Sequence, residues 1–90
     1  MTTVRIPTPL RGLTGGKNRV QVDARTVAEM IQRLEHEHPG FRDRILDESG
    51  ELRRFVNIYV AGEDIRFRQG FATELNGTEE VSIIPAVAGG

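Results

Sequence analysis

Several residues in this 90-residue chain are of types that carry chemistry, and their spacing decides what they can do. The segment Gly12-Leu13-Thr14-Gly15-Gly16-Lys17-Asn18 has the glycines and the lysine of a phosphate-binding loop. Such a loop needs G-x-x-x-x-G-K-[ST], because a hydroxyl residue must follow the lysine to hold the magnesium ion. Arg11 and Asn18 stand where a glycine and a hydroxyl are required, so the segment reads as a glycine-rich hairpin loop. His36 and His38 lie two apart near a helix end and point to different faces, so they do not form an i, i+4 metal pair. With no further ligand cluster they read as surface histidines, and no metal is expected. The acidic pairs Asp47-Glu48 and Glu79-Glu80 fall in turns and read as solvated. There is no cysteine, which excludes disulfides, thiolate metal sites and a cysteine nucleophile. What remains is the terminal Gly89-Gly90, reached through Pro85-Ala86-Val87-Ala88. A run of small, uncharged residues after the last strand is expected to be an extended, flexible arm.

The elements that must carry this arm follow from periodicity. Val4-Arg5-Ile6 and Val20-Gln21-Val22 alternate as strands and form a hairpin with a long loop, the first ending at Pro7. Thr26-Val27-Ala28-Glu29 is a capping box, and Val27, Met30, Ile31 and Leu34 then share one helical face. His38-Pro39-Gly40 ends this helix. Phe41 and Ile45-Leu46 anchor an irregular connection. Phe55–Val60 is a strand by its β-branched and aromatic content, and Ala61-Gly62-Glu63-Asp64 is a tight turn. Ile65 and Phe67 return as a short strand, Phe71 and Leu75 plug the core, and Val81–Ile84 is the last strand. If Ile58, Val60, Val81 and Ile83 face the helix, period two turns Asn57, Tyr59, Ser82 and Ile84 outward. Tyr59 and Ile84 then form part of an apolar patch near the root of the arm.

Composition sets the limits. Ninety residues make one domain with one core and little room for an enclosed active site. A net charge of −1, with 12 basic and 13 acidic residues interspersed, leaves no basic stripe for nucleic acid or membrane. No segment has the length of a membrane span or the layout of a signal peptide, and the reading is a cytoplasmic protein, monomeric when free. The pattern of strands and one amphipathic helix supports a small α+β domain. Its order fits a β-grasp, a mixed sheet of four to five strands around one helix, with residues 1–85 as the domain and 86–90 as the flexible tail.

Three stretches carry a more specific likeness: Arg53-Arg54-Phe55-Val56-Asn57-Ile58-Tyr59-Val60, Asp64-Ile65-Arg66-Phe67, and Val81-Ser82-Ile83-Ile84-Pro85-Ala86-Val87-Ala88-Gly89-Gly90. With them the chain resembles the ThiS/MoaD family of sulfur carriers, relatives of ubiquitin, over nearly its whole length. Within that family it is most similar to the CysO-type carriers of cysteine biosynthesis. The resemblance implies no catalytic residue and no bound cofactor. It implies instead that a ThiF/MoeB-like partner uses ATP to adenylate Gly90, that sulfur is then held covalently there as a thiocarboxylate, and that Gly89, Ala88 and Val87 are recognised as the tail is threaded. It further implies docking through Tyr59 and Ile84, a cysteine-synthase-like acceptor enzyme, and a metalloprotease that processes the adduct. The family also contains the small subunit of molybdopterin synthase and the carriers of thiamin and tRNA thiolation, which are the alternative readings. Ala86 and Ala88 are uncharged where ubiquitin carries arginines, which speaks against a ubiquitin-type conjugation cascade.

Overall fold

The first strand, β1 (Thr2–Arg5), pairs antiparallel with β2 (Arg19–Val22), and the 3-10 helix Thr8–Thr14 lies between them. These belong to a computed structural model that describes residues 1–85. Two helices follow, α1 (Val27–Glu37) and α2 (Phe41–Ile45), then β3 (Val56–Val60), β4 (Glu63–Asp64) and β5 (Glu80–Pro85). The sheet order is β2-β1-β5-β3-β4, with β1 and β5 parallel and the other pairs antiparallel. This is the β-grasp arrangement, a mixed five-stranded sheet folded over α1.

The local causes are those of the sequence, with corrections. Thr26 caps α1 by accepting the Glu29 N–H at 3.2 Å, and Glu29 reaches back to the N–H of Arg25 at 3.1 Å, one residue beyond the expected one. Val27, Met30, Ile31 and Leu34 are all buried, and they pack with Val4, Val22, Ile58, Val60, Val81 and Ile83 of the sheet's inner face. The connection expected to be irregular contains α2. Gly40 allows it: its φ of 112° opens the turn, and the Glu35 carboxylate accepts the N–H groups of Gly40 and Arg42, at 3.2 and 2.8 Å through Oε1, across the helix junction. Phe41 and Ile45 then enter the core.

Ile65 and Phe67 do not form a strand. The Asp64 side chain accepts the Arg66 N–H at 2.8 Å and bends residues 65–67 into a 3-10 turn, which leaves β4 with two residues. Ile65 is buried there, whereas Phe67 is 83% exposed. The loop after β1 is likewise a 3-10 helix, closed by Gly15 in the left-handed region. Leu75 is buried, and Phe71 packs on the core from a half-buried position.

Candidate functional site

β5 is the central strand of the sheet, held by β1 on one side and β3 on the other. Its last residue, Pro85, sits opposite Val56, and the sequence-predicted Val87, Ala88, Gly89 and Gly90 lie outside the described residues. The root of the tail is thus fixed in the middle of the fold. Proline is accommodated there because the strand ends at that point.

The sheet's outer face surrounds this root. Tyr59 pairs with Ser82 and Ile84 pairs with Asn57, so Tyr59 and Ile84 are diagonal neighbours, a relation that sets residues about 7–8 Å apart. Both turn away from the core, as period two predicts; Tyr59 is half-buried and Ile84 is 46% exposed. Phe55, 52% exposed, lies in the turn just before β3, which the Val56 N–H closes onto the Arg53 carbonyl. Further from the root, Glu80 lies 3.8 Å from Arg5 and 3.5 Å from Arg19. These exposed pairs add little stability.

Arg66 was not singled out from sequence, and only the folded chain explains it. β4 covers β3 at Tyr59 and Val60 and leaves the edge open at Val56 and Asn57. Arg66 fills that edge, donating from Nη2 to the Val56 carbonyl at 3.0 Å and from Nη1 to Asn57 Oδ1 at 2.7 Å. Asp64 Oδ2, 3.6 Å away, steadies the guanidinium. The latch blunts an exposed strand edge and holds Asn57 in place opposite Ile84.

The remaining chemistry-bearing groups stay apart from this face. His36 and His38 border one surface hollow with Lys17, Arg19 and Glu37, because His38 has left helical geometry at the end of α1. Among the described residues no three His, Cys, Asp or Glu side chains gather as a metal site. No helix among them is long and apolar enough to cross a membrane. A hollow of about 320 Å³ opens on the helix side between α1, Leu46 and Phe71, with Gln32, Glu35 and Arg42 also on its lining. The Gly12–Lys17 loop is closed on itself: the N–H groups of Gly16 and Lys17 donate to the carbonyls of Arg11 and Thr14, and the Thr14 hydroxyl is shared between the carbonyls of Arg11 and Lys17.

The outer sheet face thus carries exposed apolar residues beside the end of the central strand at Pro85. Known proteins share this fold. The ThiS family profile matches residues 4–90. The sulfur carrier protein CysO of Mycobacterium tuberculosis is 48% identical over 98% of this chain and 97% of its own length. A chain in the crystal structure of the Amycolatopsis orientalis BexX/CysO complex superposes with a TM-score of 0.93 at 43% identity, covering both chains fully. The crystal structure of Mycobacterium tuberculosis CysO gives 0.92 at 45% identity, covering 97% of this chain and all of that one. With the profile and the full-length relatives in agreement, the chain belongs to the ThiS family and is a sulfur carrier of the CysO type, a small protein carrier and not a catalyst.

Proposed function

We propose that this carrier supplies sulfur for cysteine biosynthesis as a thiocarboxylate at Gly90. A free carboxylate is a poor electrophile, so a ThiF/MoeB-like partner first converts it with ATP into an acyl adenylate. Hydrosulfide then displaces AMP and leaves the thiocarboxylate directly, whereas a persulfide donor displaces AMP to form an acyl disulfide that a thiol must reduce to release it. The resulting thiocarboxylate is a soft nucleophile, and a cysteine-synthase-like enzyme in the cytoplasm consumes it, after which a metalloprotease releases the product from the tail. Gly89, Ala88 and Val87 are the residues a narrow channel reads; glycine, lacking Cβ, lets the partner's backbone close in. Tyr59 and Ile84 dock the carrier while the tail is inserted.

One observation carries this reading: the family match runs through the last strand to Gly90, so the likeness includes the reactive end as well as the domain. The full-length identity to CysO carriers supports cysteine synthesis over the other sulfur pathways. Incubation with ATP, sulfide and an adenylating enzyme of the ThiF/MoeB kind is expected to replace one terminal oxygen by sulfur, read by intact mass. An unchanged mass with every such partner overturns the proposal. Purification as a stable hetero-oligomer that converts a cyclic pterin precursor reassigns the chain as a molybdopterin synthase subunit.

A further inference from the structure

The two outer edges of the sheet differ. At one, β4 covers part of β3, and the Arg66 guanidinium takes up the Val56 carbonyl beyond it. At the other, β2 has β1 on one side and, among the described residues, no strand on the other. In an antiparallel pair, rows that exchange hydrogen bonds alternate with rows that do not. The Ile6 N–H donates to the Asn18 carbonyl at 2.8 Å, one row beyond the Arg5–Arg19 pair. Bonded rows therefore fall at Val4–Val20 and Thr2–Val22, and the rows Arg5–Arg19 and Thr3–Gln21 are unbonded. This turns the N–H and C=O of Arg19 and Gln21 away from β1. Among the described residues no backbone group outside the sheet bonds to them. An unpaired edge of this kind is a template for one more strand.

Space and charge beside the edge select its occupant. Two open hollows lie along it. One, at the end of α1, is bordered by Lys17, Val20, His36 and His38, and the other by Gln21, Val22 and Arg33. Val20 is half-buried and packs on the core, so its outer flank is apolar surface that the fold leaves uncovered. Lys17 and Arg33 are exposed, and among the described residues neither has a carboxylate within 4.0 Å. Glu37 borders both hollows and Asp23 the second, yet neither meets these cations. A second copy of the chain brings the same cations to the seam, whereas an acidic segment answers them.

We infer that the β2 edge takes an extended, acidic segment of a partner protein as an added strand. Its backbone pairs with Arg19 and Gln21, an apolar side chain covers Val20, and acidic side chains reach toward Lys17 and Arg33. In strand addition the main-chain bonds give affinity and the alternate side chains give specificity. The added strand occupies the rim of the sheet and leaves Tyr59 and Ile84 on its outer face uncovered. The inference therefore does not depend on how the tail is used.

The test uses the full chain and the synthetic peptide acetyl-Thr-Glu-Thr-Val-Thr-Glu-Thr-amide, whose period of two puts both glutamates and the valine on one face. In the free protein the amides of Arg19 and Gln21 are expected to exchange with solvent quickly, and those of Val20 and Val22 slowly. Saturating peptide should slow the first pair by about tenfold or more and shift their NMR signals more than any others. Gln21→Pro removes an outward donor and no bond to β1, so it should abolish these changes. Lys17→Glu leaves the backbone alone and should weaken binding by about fivefold, as expected for an exposed charge pair. The same peptide with lysine in place of glutamate should not bind. Absence of binding at millimolar peptide, equal binding of the lysine peptide, or largest shifts away from β2 overturns the inference. So does finding the Arg19 and Gln21 amides already protected by a second copy of the chain.

Discussion

Glu79 shows how a single side chain departs from its reading as a solvated acid. Both of its carboxylate oxygens accept the Asn76 N–H at 3.0 Å, and Oε1 also accepts that of Gly77 at 3.0 Å. Burial alone would raise its proton affinity. The N–H groups of Asn76, Gly77 and Glu79 itself, together with the nearby Arg68 charge, outweigh this and hold the carboxyl below its ordinary 4.5. The unfolded chain thus takes up the proton more readily than the folded one. The stability this group contributes is complete above its unfolded value and is lost as pH falls through the lower folded value. Glu79→Gln is expected to flatten the fall in Tm between about pH 5 and pH 3, followed by circular dichroism. Parallel wild-type and variant curves would refute the assignment. No periodicity marks this role, because it depends on a turn that brings three N–H groups to one carboxylate.

At the scale of elements, the β3–β4 hairpin turns on Ala61 and Gly62, with φ of 52° and 84°. Two left-handed residues in a row are the geometry of a tight hairpin whose twist matches its strands. Gly62 adopts it freely, whereas Ala61 is the one non-glycine residue among the described residues with positive φ. Ala61→Gly is expected to raise unfolding stability in denaturant by about 0.5 kcal/mol, the relief of strain exceeding the added unfolded-state entropy. A loss of stability would show that the alanine side chain makes a contact worth more than its strain. The hairpin matters beyond its two residues of pairing, because the Asp64 that ends β4 also orients Arg66 across the open edge of β3.

Over the whole molecule, the sheet divides its labour by face. Its inner side chains fill the core with α1 and α2, while its outer face leaves Tyr59 and Ile84 close to Pro85 at the end of β5, with exposed Phe55 in the turn before β3. A partner that grips the proposed tail needs a second hold on the domain, and these residues offer apolar area that the fold does not use. Ile84→Asp is expected to leave Tm nearly unchanged, since a half-exposed surface position costs about 0.5 kcal/mol or less. Binding to the adenylating enzyme should weaken by roughly tenfold or more, as for a residue central to an interface, measured by calorimetry or by the KM for the carrier. Unaltered binding would move the docking surface off this face.

Much of this architecture is written in local pattern. The capping box at Thr26, the four-residue apolar stripe of α1 and the alternation in β3 and β5 are short-range signals. Short-range signals survive in a bare sequence because helix and strand periods follow from backbone geometry. The outward placement of Tyr59 and Ile84 follows from the same period. Tertiary structure alone decided the rest. The second helix depends on Glu35 reaching across a glycine turn, the loss of the expected strand at Ile65 and Phe67 depends on an Asp64 cap, and the Arg66 latch exists only because β4 stops short of Asn57. Such contacts have no period to betray them, because they are fixed by which strands become neighbours and not by the residues beside them in sequence.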